Sequence, residues 1–276
     1  MEFCIKNDPN LGRIYFMTDG KLDVGVALDF GIRIVHLSCA GMENLYYSQP
    51  ADLSDGFTTP DGWRLYGGHR MWLAPEGDHS YHPDNDPVNY KTLPDGVIVE
   101  QALDPRQNIV KSLKITFEAD GTLRLDHSFR NAGETPITGA SWGVNTLAGY
   151  GSATIGFSGV DGLNPSRTVS LWGETNLNDS RLKFTKDSIS VQHAPNPEYF
   201  KIGVYSREGK AVFQNKGQQL TLRFETPEME ALPDGGCNFE LFMSKQFLEL
   251  EVLGVKTEIL PGEAACHTER ILMEKL

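Results

Sequence analysis

What most constrains this chain is a two-residue rhythm of apolar and polar side chains that recurs along it, broken by short turn signals. Successive side chains of a strand point to opposite faces, so such alternation reads as strands half-buried against a core. Lys21 to Leu28 alternates, and Gly31 to Leu37 follows as a second run. In Val110 to Phe117, Leu113, Ile115 and Phe117 share a face. Asp120-Gly121 then turns the chain into Thr122 to Phe129, where Leu123, Leu125, His127 and Phe129 share another. An Asp-Gly between alternating runs is a strong hairpin signal. Lys201 to Ser206 and Ala211 to Gln214 flank Arg207-Glu208-Gly209-Lys210 and predict a further hairpin. Phe239 to Met243 and Phe247 to Val252, joined at Ser244-Lys245, predict another. No segment carries a convincing amphipathic helical period. The expectation is an all-β protein of large, twisted antiparallel sheets packed face to face. No repeat or low-complexity linker divides the 276 residues, so 1-276 is expected to be a single domain.

The longest stretch without alternation runs from Gln49 to Pro94 and is rich in Gly, Pro, Asp and Tyr. Loops that long within a compact domain are usually functional or disordered, and Trp63, Tyr66, Trp72 and Tyr81 argue against disorder. This segment is expected to line a site. Inside it lies Tyr66-Gly67-Gly68-His69-Arg70-Met71-Trp72-Leu73-Ala74-Pro75-Glu76. Its glycines allow positive φ and close approach to the backbone. Arg70 offers a rigid fork of donors, Trp72 a flat apolar face, and His69 and Glu76 can exchange protons. A planar apolar surface beside hydrogen-bonding groups suits a sugar ring. The same run equally suits a strand leaving a Gly-Gly turn, with Trp72 in the core and Arg70 in a structural ion pair.

Composition narrows the partners. A formal net charge of -12, with no run of Lys or Arg, argues against nucleic acid or an anionic membrane surface. No stretch approaches the length of a membrane helix. Met1-Glu2-Phe3-Cys4-Ile5-Lys6 has neither the basic nor the apolar region of a secretory signal, and Cys4, Cys39, Cys237 and Cys266 are scattered. Reduced thiols in a cytoplasmic protein are the expectation. Oligomeric state is left open.

Three blocks, in this order, resemble the galactose mutarotase-like superfamily, which includes the aldose 1-epimerases and hexose-phosphate mutarotases. The first is Gly68-His69-Arg70-Met71-Trp72-Leu73-Ala74-Pro75. The second is Leu123 to Pro136, with its Asn131-Ala132-Gly133 turn, leading into Ser141-Trp142-Gly143-Val144-Asn145-Thr146. The third is Phe247-Leu248-Glu249-Leu250-Glu251 with Ile259-Leu260-Pro261-Gly262-Glu263 and His267-Thr268-Glu269-Arg270. The resemblance implies a β-supersandwich that binds a small carbohydrate on the concave face of a large sheet. It implies no metal and no organic cofactor.

The implied reaction is anomer interconversion. A base takes the proton of the anomeric hydroxyl while an acid protonates the ring oxygen; the ring opens, the carbonyl rotates, and reclosure inverts C1. Each well-placed acid or base is worth about 10²–10⁴-fold. The resemblance favours Glu249 as base. Glu251 shares its strand face, and two like charges there should raise one carboxyl's pKa. Where the superfamily places its catalytic histidine, this chain is expected to have Asn145, and an amide cannot serve as general acid. His69 and His82 are the substitutes. Arg70, Trp72, Glu76, Trp142, Asn145 and Glu251 are the expected sugar contacts. Asn145 also keeps open a carbohydrate-binding protein without catalysis, or other sugar chemistry on the same scaffold. A metal held by His79, His82 and Asp84, with His69 from the other block, is the less favoured expectation, since short His spacings in loops are common by chance. His193 and His267 are expected at the surface, and His36 and His127 as ordinary strand histidines.

Overall fold

The computed structural model describes residues 1–276, and strands dominate it; its helical segments are two short 3₁₀ turns, Asp78–Tyr81 and Met229–Ala231. An 11-stranded and a 10-stranded antiparallel sheet lie face to face. In the middle of the first sheet run Arg33–Cys39, Gly68–Ala74, Ile137–Ala148, Phe247–Leu253, Phe239–Met243 and Phe200–Val204, side by side in that order. The second sheet sets Gln218–Phe224, Ala264–Lys275, Leu123–Asn131 and Ile109–Phe117 opposite them. No helix is long and apolar enough to cross a membrane.

Alternation generates the core. Leu113, Ile115, Leu125, Phe129, Leu220, Leu222 and Ile271 from the second sheet meet Ile34, Met71, Leu73, Leu147, Leu248 and Leu250 from the first in one apolar cluster. Burying each such side chain contributes about 1.5–3 kcal/mol. The first sheet is buried on its other face as well. Trp63, Trp72, Trp142, Val144 and Phe247 form a second, smaller apolar cluster there. Every residue of Gly68–Ala74 and of Phe247–Leu253 is therefore buried, although each strand alternates between two different environments.

The Asp120-Gly121 hairpin forms as expected, with Phe117 opposite Leu123. So does the hairpin at Ser244-Lys245, with Met243 opposite Leu248. The expected hairpin around Arg207 to Lys210 does not form. Phe200–Val204 pairs with Phe239–Met243 in the first sheet, whereas Lys210–Asn215 pairs with Gln218–Phe224 in the second. The turn between them carries the chain from one sheet to the other. The Gln49 to Pro94 stretch is likewise not wholly loop: Gly68–Ala74, within it, is a central strand.

The glycines that open this strand serve the main chain. A Cβ on Gly67 would lie 2.0 Å from the Tyr47 carbonyl oxygen, and one on Gly68 would lie 2.1 Å from that of Ile34. Both adopt positive φ. The close approach they permit is between backbone segments, not to a ligand.

Candidate functional site

The outer face of the first sheet forms the floor of a cleft of about 260 Å³, walled by Phe57, Trp63 and Leu65 from the long connection before Gly68–Ala74. Arg70 and Trp72 project from that strand, Glu249 and Glu251 from Phe247–Leu253, and Lys201 from Phe200–Val204. Glu76 and Tyr81 close one side, and Glu174 and Tyr199 also line it.

Charge pairing organises the floor. Arg70 Nη1 donates to Glu249 Oε1 at 2.9 Å and to Thr146 Oγ1 at 2.7 Å. The Thr146 hydroxyl in turn donates to Glu249 Oε1 at 2.7 Å. Both bonds to Glu249 fall on Oε1, so Oε2 is the oxygen left to meet a ligand. The Arg70 guanidinium also sits 4.3 Å from the Trp72 ring centroid, a cation–π arrangement that fixes both planes. Two neighbouring polar atoms, Arg70 Nε and the Trp63 indole nitrogen, are buried without partners.

Lys201 is the second cation. Its ammonium lies 2.9 Å from Glu240, 3.4 Å from Glu251 and 3.5 Å from Glu76, and 4.9 Å from the Trp142 ring. Burial alone would push this ammonium down, but Glu251, Glu240 and Glu76 outweigh it and hold its pKa above the ordinary range. Burial pushes the Glu251 carboxyl up to about 7; Lys201 opposes the shift and the charge of Glu249 adds to it. Burial also raises Glu240. The Tyr81 hydroxyl donates to Glu76 and is raised by burial and by that carboxylate.

Of the residues expected at a site, Arg70, Trp72, Glu76, Glu249 and Glu251 line this cleft. Trp142 lies just beneath it, its ring packed edge-on against Trp72. Three others lie elsewhere. His69 alternates to the opposite face of its strand from Arg70; it is fully buried between the sheets, with Nε2 2.7 Å from His127 Nε2. Asn145 faces the same interior, bonded to Tyr46, His69 and Glu269. The residue opposite both Arg70 and Glu251 is Val144, one position earlier. Asn145 therefore lies on the face opposite the cleft, since each step along a strand reverses the side on which a side chain stands. His82 lies outside the cleft, 3.9 Å from Asp104. No histidine lines the cleft.

Like His193, also expected at the surface, His267 is buried. It stacks on His127 at 4.0 Å, with Nε2 3.1 Å from Glu269 Oε1 and Nδ1 2.6 Å from Ser141 Oγ. Burial lowers the pKa of His69, His127 and His267 to about 3, so all three imidazoles are neutral near pH 7.

Sequence reasoning missed Lys201, Glu240, Glu174 and Tyr199. A signal existed for the first two. Each is the lone charged residue in an otherwise apolar strand, Phe200–Val204 and Phe239–Met243. A charge in such a run must be paired or functional.

No family model and no curated protein matches this chain. Solved structures do match. A candidate aldose 1-epimerase from Escherichia coli K12 superposes with a TM-score of 0.60 at 14% identity, over 95% of this chain and 99% of that one. A galactose mutarotase-like protein from Lactobacillus casei gives 0.61 at 10% identity, over 95% and 100%. Another from Clostridium acetobutylicum gives 0.57 at 11% identity, over 99% of each chain. The likeness at these identities is one of fold: the chain has the galactose mutarotase-like β-sandwich.

Proposed function

We propose that the cleft binds a single sugar ring and interconverts its anomers by acid–base ring opening, as an aldose 1-epimerase-like enzyme. The observation that carries this reading is the pair Glu249 and Glu251, two residues apart on one strand face but in different environments. Arg70 and Thr146 engage Oε1 of Glu249, which keeps that carboxylate ready to take a proton through Oε2. Glu251, with its carboxyl near 7, holds a proton over much of the neutral range and can deliver it to the ring oxygen. Reclosure reverses the two transfers and restores both groups. Glu251 thereby takes the acid role that neither His69 nor His82 can fill from its position.

The cleft also supports a substrate class. Four carboxylates (Glu76, Glu174, Glu249 and Glu251) line it against two cations, Arg70 and Lys201, each already paired. An added phosphate would meet more repulsion than attraction, so the substrate is a neutral or amino aldose. The small volume suits one ring, and the indole and phenyl faces suit its CH-rich side. NMR exchange spectroscopy on a panel of free and phosphorylated aldoses tests the proposal. Faster exchange between the anomers of a neutral aldose supports it; unchanged exchange for every sugar overturns it.

A second reading, carbohydrate binding without catalysis, is favoured by Val144, an apolar residue opposite both Arg70 and Glu251. On that reading the same sugars bind, as titration calorimetry would register, while exchange rates stay at their uncatalysed values.

A further inference from the structure

We propose that the polar cluster between the two sheets is a metal site for zinc or a similar divalent transition ion, with His69 Nε2, His127 Nε2 and Glu269 Oε1 as ligands. These three atoms lie within 4.8 Å of one another. Separations are 2.7 Å between the Nε2 atoms of His69 and His127 and 3.7 Å from His127 to Glu269. Ligands about 2.1 Å from a tetrahedral zinc stand about 3.4 Å apart, a spacing these two separations bracket.

A further observation points to an ion rather than to hydrogen bonding alone. Glu269 is fully buried, and the only ion-pair partners within reach are imidazoles, with no lysine or arginine among them. A buried carboxylate without a cation is costly, and a divalent ion supplies the missing charge.

The surrounding groups hold the donors as metal ligands require. A carboxylate only accepts, so the Asn145 atom 3.1 Å from Glu269 Oε2 is the amide nitrogen, Nδ2. Its oxygen therefore faces His69 Nδ1 at 3.1 Å and accepts that N–H, which leaves the lone pair on His69 Nε2. Tyr46 donates to the same oxygen at 2.9 Å and fixes the amide. His267, stacked on His127, donates Nε2–H to Glu269 Oε1 and accepts from the Ser141 hydroxyl at Nδ1, which steadies the carboxylate. Such outer partners set the tautomer and the ring orientation of metal-bound histidines. Glycine at 143 is what lets Glu269 reach the cluster. A Cβ on Gly143 would fall 1.9 Å from Glu269 Oε1 and 3.2 Å from His127 Nε2. The donors come from three strands in two sheets, so a bound ion would bolt the sandwich together through its centre.

The test is metal analysis of the whole chain, purified without a metal-affinity tag, stripped with a strong chelator and reloaded with zinc or cobalt(II). Elemental analysis should find close to one equivalent per chain, and the cobalt form should show the visible bands of a tetrahedral site with nitrogen and oxygen ligands. His69→Gln and Glu269→Gln should each lose the bound metal and the zinc-induced rise in Tm. His82→Asn should keep both, which excludes the surface loop. Cys4→Ser with Cys266→Ser should also keep both, which excludes the exposed thiols. If the interior variants do not fold, the wild-type cobalt spectrum and zinc-edge anomalous scattering locate the ion without them. Substoichiometric metal in the wild type, or metal that follows His82 or the cysteines, overturns the proposal.

Discussion

The two faces of the strand Gly68–Ala74 carry polar groups under opposite conditions. On the outer face Arg70 is buried but paired with Glu249, and the pair opens on a cleft lined by aromatic rings. On the inner face His69 meets His127 and Asn145 across the centre of the sandwich, with no opening and no lysine or arginine. Ile137–Ala148 repeats the division, with Thr146 outward and Asn145 inward. Buried polar side chains therefore do not by themselves mark where a substrate binds. What separates the two faces is access and countercharge: the outer one offers a free carboxylate oxygen to solvent-borne ligands, and the inner one offers donors to something the size of an ion.

The sharpest way to break this comparison is Glu249→Gln. It keeps the acceptor for Arg70 and Thr146 but removes the base, so anomer exchange should fall about 10²–10⁴-fold while the fold persists. Wild-type rates in the variant, measured by NMR exchange, would remove Glu249 from the mechanism. Arg70→Ala comes next. Arg70 holds a buried carboxylate, so its loss strands a charge and should cost about 3–5 kcal/mol in chemical denaturation, beyond any lost sugar contact. A cost within the range of an ordinary surface substitution would show that the pair is solvated.

Gly143→Ala tests the inner face alone. Its methyl group would collide with Glu269, and overpacking of this kind costs about 1–3 kcal/mol. Sugar affinity of the folded fraction, followed by calorimetry, should stay unchanged. Equal losses on both faces would mean that the faces are not separable.

The most gradual effect is in pH dependence. Glu251 keeps its proton up to about 7 when folded, whereas an unfolded glutamate loses it at about 4.3. Between those values the folded chain binds more protons than the unfolded one, so this group makes stability fall as pH rises, by at most about 1.4 kcal/mol per unit. Above about 7 the exchange rate should drop as the acid is lost, and Glu251→Gln, which removes the acid at every pH, should hold the rate about 10²–10⁴-fold down across the range. A rate flat from pH 6 to 9 in the wild type would assign the acid elsewhere.

The sandwich was legible in the alternation because period-two burial leaves a direct mark on composition, and local hairpins were legible because Asp-Gly turns are encoded over four residues. The crossing at 204–210 was not. Its flanking runs look like any hairpin, and which sheet each joins depends on partners far away in sequence. Arg70, Trp72 and Glu249 could be read as ligand-binding types, but His69 could not be assigned to a face. Gly68–Ala74 is buried on both sides, so its sequence carries no polarity contrast. The interior cluster was out of reach altogether, since His69, His127 and His267 come together only when two sheets close on each other.

Gly67 and Gly68 bear on how the cleft meets its ligand. With no Cβ in the way, Gly68 donates its N–H to the Tyr47 carbonyl at 3.1 Å, Gly67 donates to that of Leu65 at 2.6 Å, and Gln49 bonds Tyr66 at 3.0 Å. The segment that bears Trp63 and Leu65 is thereby stitched at its base to the sheet's own ladder. An aromatic wall anchored in this way gives up little conformational entropy when a sugar arrives, which leaves more of the contact energy for affinity. A side chain at either glycine would force those strands apart, and its mark would be a wall that must order itself at each encounter.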